Sequence, residues 1–424
     1  MSAATATRLT TAQLAERLSC FNPDEPRVSN RWAAVWSIGA GSFALVFAEV
    51  IPVGLLAHLS RALHVSIGAG GLTIVVPAVA AALAAPLLTL SSTAIERRAL
   101  LRSLGLLMLI SNVIAAVTSS FAIMLVSRGL LGVAIGGFWV FGSGAAMSLV
   151  DEDVRGKALA IVSGGIFIAT VAALPASALI GHVSSWRNAF WVSAAMAAAA
   201  IVAQAAALPC LGKGKEVPPS ALLTILRIPT SRVGLASASA IFFAEFAAYT
   251  YVTPILDRRT GFSPGETTAV LLGFGLAGGL TNFAAGVTTR KYLRPTLIGA
   301  GLLMCAAFAL LIVADTSKVA TVVIILVWGA GFGAVPVAAQ AWMASSMPSD
   351  VEGALSLFVT GLQGSLAAGS AIGGVLYNAY GPSGPLTLAA TVAAVASSIL
   401  FMKSARAIDQ KASPAAIAAA APAE

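Results

Sequence analysis

Charged residues are scarce in this chain: Asp, Glu, Lys and Arg fill 10% of 424 positions, where a soluble domain carries about 25%. That shortage excludes a surface bathed in water on all sides. Cysteine is nearly absent too. Cys20, Cys210 and Cys305 are odd in number, far apart and without metal-ligand spacing, which argues against a disulfide framework, a zinc site or any other metal. The three histidines, His58, His64 and His182, fall near the ends of apolar stretches and read as polar anchors. No phosphate-binding glycine loop or dinucleotide fingerprint occurs, so ATP is not an obvious energy source and no cofactor is implied. No Ser/His/Asp or metal constellation gathers at any helix end, which argues against an enzyme. The segments between apolar runs are too short for a receptor domain. Residues 1–31 hold Arg8, Arg17, Arg27 and Arg31 but no apolar core, so they are not a secretory signal.

Apolar sequence fills the space that charge leaves. Hydrophobic residues make up 58% of the chain and the mean hydropathy is +0.91, the composition of a polytopic membrane protein. At about 20 residues per crossing, spans are expected near 33–57, 69–91, 100–119, 121–149, 157–181, 188–208, 232–256, 267–289, 296–314, 320–346, 353–378 and 385–402. The expected fold is an all-α membrane protein of twelve transmembrane helices in two pseudosymmetric six-helix bundles. Nineteen of the 25 Lys and Arg residues fall on the side that holds both termini and five on the other, which places the termini in the cytoplasm. The net charge of +8 is therefore a topology signal; the basic residues form no stripe for nucleic acid. The expected organisation is a cytoplasmic segment (1–31), a first bundle (32–208), a proline-bearing cytoplasmic linker (209–231), a second bundle (232–403) and a low-complexity tail (404–424).

The two halves read as repeats. Phe47-Ala-Glu49 answers Phe243-Ala-Glu245, Arg97-Arg98 answers Arg290-Lys291, and the Asp153 turn answers the Asp350 turn, at offsets of 196, 193 and 197 residues. Near-constant offsets at matching topological positions are the mark of duplicated bundles.

Within the apolar runs, ionisable groups stand out. Glu49 and Glu245 sit inside spans, where each costs roughly 2.5–3.5 kcal/mol on insertion scales. Such groups face a protein or water-filled interior, and either carry protons or solute or serve as fixed partners of a neighbouring helix. Arg128 in the fourth span stays charged and needs a carboxylate, carbonyl groups or the water boundary. Ser237, Glu245, Tyr249 and Thr253 follow one helical face and are expected to form a cavity wall. Trp139, Asn282, Gln340 and Gln363 add an aromatic plane and amides suited to a polar, neutral, ring-containing solute, although interhelical hydrogen bonding would look the same. The charged turn at Asp153 and Arg155 reads as solvated, or as a latch.

Several strings carry a family resemblance. They are Glu49-x-x-Pro-Val-Gly-Leu-Leu56, Ser127-Arg-Gly-Leu-Leu-Gly132 with Gly136-Gly-Phe-Trp139, and Trp186-Arg-Asn-Ala-Phe190. The second half adds Tyr249-Thr-Tyr-Val-Thr-Pro254 and Val327-Trp-Gly329 with Val335-Pro-Val337. On these the chain resembles the major facilitator superfamily over residues 31–403. Within it the chain resembles the bacterial drug:proton antiporters, close to purine ribonucleoside and arabinose-type sugar efflux permeases. Two departures stand out. The loop before the third span keeps only the basic pair Arg97-Arg98, with Glu96 beside it, and the fifth-span antiporter motif keeps Pro175 without its usual glycines. The resemblance implies a monomeric, proton-coupled exporter in the bacterial inner membrane, dealing with a small solute, protons and lipids. Purine nucleosides or bases rank first as cargo; sugar or chloramphenicol-type drug efflux and an uncoupled facilitator remain alternatives. It transfers the proton-coupling role to Glu49 and no role to Glu245; Arg128, which matches the superfamily signature on the fourth span, is grouped with Glu49 as a proton-coupling candidate.

Overall fold

A segment surrounded by hydrocarbon must satisfy every backbone N–H and C=O internally, and the apolar runs do so as α-helices. The computed structural model describes residues 31–90, 96–211, 226–313, 317–346 and 351–401. The expected N-terminal segment, most of the linker (212–225) and the tail lie outside the described residues. The helices of the first half are α1 (Trp32–Ala62), the single turn α2 (Ile67–Gly70), α3 (Leu72–Leu90), α4 (Arg97–Val117), α5 (Phe121–Ser148), α6 (Arg155–Val183) and α7 (Trp186–Ala207). The second half holds α8 (Pro229–Tyr249), α9 (Val252–Thr260), α10 (Pro264–Val313), α11 (Lys318–Gly333), α12 (Val335–Ser346), α13 (Val351–Tyr380) and α14 (Ser383–Ile399). Helix α10 is two spans joined at Tyr292, whose φ of −128° and ψ of 46° break the helical path three residues before Pro295.

Ten stretches among the described residues are long and apolar enough to cross a bilayer. The seventh expected span is divided between Tyr249 and Val252, and the twelfth is a helix of 17 residues. Large apolar side chains such as Leu83, Leu87, Val126, Leu280 and Phe283 point outward, as a lipid-facing surface requires. Cys210 is disulfide-bonded, against the expectation from three scattered cysteines, while Cys305 is free.

Small residues bring the helix backbones close. In the first half a Cβ on Gly165 of α6 would strike the Gly39 carbonyl of α1; in the second, a Cβ on Gly369 of α13 would strike the Phe243 carbonyl of α8. These are the first-and-fifth crossings of each half, and they show the repeat as a shared packing device. The tightest approach is Gly333 of α11 on Gly278 of α10, where a Cβ would overlap the Gly278 carbonyl. Backbone cannot give way there as a side-chain tip can. Gly333→Ala is therefore expected to destabilise the protein by about 1–3 kcal/mol or more, read as a lowered thermal midpoint in detergent. An unchanged midpoint would show that the crossing is looser than drawn.

The halves meet through α3 against α13 and α6 against α10. Hydrogen bonds across the seam gather at the end of α1 remote from Trp32. The Gly68 N–H donates to Asn378 Oδ1 at 3.0 Å, Asn378 Nδ2 donates to Ser66 Oγ at 3.1 Å, and Thr253 Oγ1 donates to the Val53 carbonyl at 3.2 Å. This end of the bundle is closed by polar contacts between the halves.

Candidate functional site

Two prolines create the need that Arg128 meets. Pro52 in α1 and Pro77 in α3 lack an N–H, so the carbonyls four residues earlier, those of Ala48 and Thr73, lose their helical donors. Arg128 lies on the neighbouring α5 and is fully buried. Its Nη1 donates to the Ala48 carbonyl at 3.0 Å and its Nε to the Thr73 carbonyl at 3.0 Å, while Nη2 reaches the Glu49 carbonyl at 3.3 Å. Of the three partners open to this guanidinium, the fold selects backbone carbonyls. One rigid fork thus stitches two proline-weakened helices and fixes the backbone that carries Glu49. Close packing makes this reachable, because a Cβ at Gly132, one turn along α5, would strike the Pro77 carbonyl.

The Glu49 side chain itself is half-buried. Its described hydrogen-bonding partner comes from the opposite half: Gln363 Nε2 on α13 donates to Glu49 Oε1 at 3.3 Å. Gln363 is 1% exposed and its Oε1 has no partner. Among the described residues Arg128 is the one charged group that acts on the Glu49 carboxyl. A carboxyl, a guanidinium and an amide therefore converge at mid-span where the halves join.

Glu245 has a different setting. It is fully buried within the second half and accepts a 2.6 Å hydrogen bond from Trp328 Nε1 through Oε2, while Oε1 has no partner. Aromatic rings close around it: Phe274 and Phe308 pack on Trp328 at 5.3 and 5.0 Å, and Tyr249 lies 5.5 Å from Phe274. The expected cavity wall is not realised in this conformation. The helix breaks after Tyr249, so Thr253 belongs to α9 and bonds to α1, and Ser237, Glu245 and Tyr249 point into packed protein. Trp328 entered the sequence reading only within the Val327-Trp-Gly329 string and was not expected as a partner of Glu245; a tryptophan N–H inside an apolar run, which needs an acceptor, was the available signal.

The remaining candidates divide. Trp139 is half-buried and borders a shallow recess with Ser42, Phe138, Ser143, Val162 and Ile166. Gln340 is exposed. Asn282 donates through Nδ2 to the Gly333 carbonyl at 2.9 Å, so it serves the α10–α11 crossing and not open space. Arg97 and Arg98 open α4 at its start, where Arg98 Nη1 lies 3.7 Å from Cys210 Sγ and Glu96 Oε1 accepts from the Leu211 N–H at 3.1 Å. Asp153 and Arg155 are exposed at the α5–α6 turn, remote in sequence and topology from Glu49. Pro175 is buried in α6 and frees the Val171 carbonyl where α6 meets Gly275 of α10.

A duplicated bundle of apolar helices with a buried arginine and a half-buried carboxyl at the join is a transporter's architecture. The Major Facilitator Superfamily model matches residues 38–350 and 234–422. The chain belongs to the major facilitator superfamily. This superfamily member is 29% identical over 361 residues to the purine ribonucleoside efflux pump NepI of Escherichia coli K12, covering 85% of this chain and 91% of that one. It is 32% identical over 362 residues to a Pseudomonas aeruginosa protein named transcription regulatory protein OpdE, covering 84% and 90%. Among solved structures, a D-xylose–proton symporter superposes with a TM-score of 0.71 at 14% identity over 88% of this chain and 98% of that one. A bacterial homologue of the lysosomal transporter Spinster, in an inward-facing and occupied conformation, gives 0.69 at 12% identity over 91% and 94%. These two show the fold. The protein is a multi-pass membrane transporter of small solutes, not an enzyme.

Proposed function

We propose that this transporter exports purine nucleosides or related bases across the bacterial inner membrane in exchange for protons, as a monomer with both termini in the cytoplasm. The observation that carries the reading is Glu49: a half-buried carboxyl at the join of the halves, framed from below by Arg128 and met from the other half by Gln363. Relatives named as purine ribonucleoside efflux pumps support the cargo class. Trp139 and the hydroxyls of Ser42 and Ser143 around one recess suit a planar, polar ring. Gln340 is a further solute contact, and Glu245 with Tyr249, Thr253 and Asn282 would reach solute only after the packing around them opens. Each proton entering is worth roughly 2.3 kcal/mol per 100 mV, enough for about a fifty-fold solute gradient. The test is solute-driven proton movement in everted vesicles with inosine, guanosine, arabinose and chloramphenicol. Inosine or guanosine should alkalinise the lumen. A response to arabinose or chloramphenicol alone would reassign the cargo, and transport without alkalinisation would make the protein a facilitator.

With the termini cytoplasmic, the seam closed by Ser66, Gly68 and Asn378 faces the outside. Export must open that seam. A Ser66→Cys/Asn378→Cys pair, at positions whose polar atoms now lie 3.1 Å apart, is expected to form a disulfide under oxidation and reduce transport at least tenfold, with recovery on reduction. Full transport by the cross-linked protein would remove this seam from the export cycle.

A further inference from the structure

An exchanger must obey a rule that a facilitator need not: its empty, unprotonated form must not cross from one facing state to the other. Otherwise solute leaves without a proton, and protons enter without solute. The geometry around Glu49 supplies a device for that rule. All three hydrogen bonds of Arg128 go to backbone carbonyls, on α1 and α3. The guanidinium therefore holds the first half together and leaves the Glu49 carboxyl oxygens to other partners. Among the described residues, the side chain that takes one of them up stands on the second half, 314 residues away in sequence: Gln363, through Nε2 at 3.3 Å.

The state of the amide is informative. Gln363 is buried to 1% exposure, and its Oε1 accepts nothing. A buried unpaired carbonyl is costly, so the amide is oriented by its donor, and the acceptor that orients it is Glu49. A carboxylate accepts such a bond about twice as strongly as a neutral acid does. The bond therefore grips when Glu49 is ionised and slackens when it is protonated. Glu49 is only partly buried, so a solute donor that enters the join can reach the same carboxyl and take the place of the amide. The charged group facing Glu49 from the packed helices, among the described residues, is Arg128 alone, and its charge is constant.

We propose that Gln363 is the interlock of the exchange cycle: its hydrogen bond to ionised Glu49 holds the two halves in the arrangement closed at the Ser66–Asn378 seam while the site is empty, and either a proton or the solute releases it. This rests on the proton-exchange reading above, and adds to it the residue that prevents slip. It makes Gln363 a positioning residue, whose loss should uncouple the protein without stopping it.

The test uses the full chain in proteoliposomes, with an internal pH dye and an imposed membrane potential. Without solute, the unsubstituted protein should be nearly proton-tight. Gln363→Leu, or Gln363→Met as the variant closer in shape, should leak protons roughly tenfold to hundredfold faster, the range that a charge-assisted hydrogen bond supplies. The same variants should still equilibrate inosine down its gradient while failing to drive it uphill. Adding Glu49→Gln to either variant should abolish the leak, because the leaking proton rides on Glu49. A folded Gln363 variant that stays proton-tight and fully coupled overturns the interlock and leaves the exchange reading intact. An unsubstituted protein whose inosine transport moves no protons overturns the exchange reading, and the interlock with it. A leak that persists in the double variant also overturns the interlock, because the proton then bypasses Glu49.

Discussion

Glu49→Gln is expected to give a protein that folds, still exchanges solute, and moves no protons. The substitution conserves shape, and an amide at this position can still meet Gln363, whose Oε1 lacks a partner in the unsubstituted protein. Nothing in the frame built by Arg128 changes, because that frame holds the Glu49 backbone and not its side chain. What disappears is the group that can be charged and neutral in turn. Solute-driven alkalinisation of everted vesicles should fall to the level of empty membranes. The solute ratio sustained by 100 mV should collapse from roughly fifty-fold to one. Counterflow of labelled inosine against unlabelled inosine should persist, since exchange needs no proton. Coupled proton movement that survives the substitution unchanged would remove Glu49 from the mechanism and turn attention to Glu245. Among the described residues Glu245 has no guanidinium acting on it and one oxygen with no partner, so it is a second acid inside a span that could take over.

How much of this arrangement was readable beforehand depends on the distance over which each signal acts. The bilayer imposes a length and a composition on every crossing, so the spans and the duplicated halves follow from hydropathy and from the 196-residue offset of the two glutamates. The division of the seventh span was not legible. Hydropathy runs unbroken through Tyr249-Thr250-Tyr251, and the break there is set by tertiary contacts, with Thr250 and Tyr251 bonded to Ser370 of α13. For the same reason Thr253 left the polar stripe it was expected to join. Asn282 showed the ambiguity of amides in membranes: the side chain that would greet a solute also satisfies a carbonyl on the next helix, here that of Gly333. Gln363 was visible as a polar residue, but its meeting with Glu49 spans the two halves and left no local trace. Arg128 lay between these cases. Its need for a partner was plain, and the choice among carboxylate, carbonyl and water had a sequence signal in the positions of Pro52 and Pro77.

That signal leads to the largest expected loss of stability. Arg128→Met keeps an unbranched apolar stem but removes the donors to Ala48, Glu49 and Thr73. The Glu49 carbonyl retains the N–H of Val53 within α1. The carbonyls of Ala48 and Thr73 retain nothing, because the residues four positions on are prolines. Each buried carbonyl left unpaired costs about 1–3 kcal/mol, so the variant should lose roughly 2–6 kcal/mol on that account and fail to transport. Arg128→Lys tests geometry against charge. It retains the positive charge, but an ammonium on one stem cannot span acceptors on two helices as the planar fork does, so it too should be unstable and nearly inactive. The decisive measurement is rescue. Pro52→Ala and Pro77→Ala each restore a backbone N–H facing an orphaned carbonyl, so the triple variant with Arg128→Met should recover much of the thermal midpoint lost by Arg128→Met alone. If the frame is all that Arg128 provides, transport should return with stability. If stability returns and proton coupling does not, the guanidinium also acts on the Glu49 proton through its charge. A triple variant no more stable than Arg128→Met would show that the prolines are not the reason an arginine stands there.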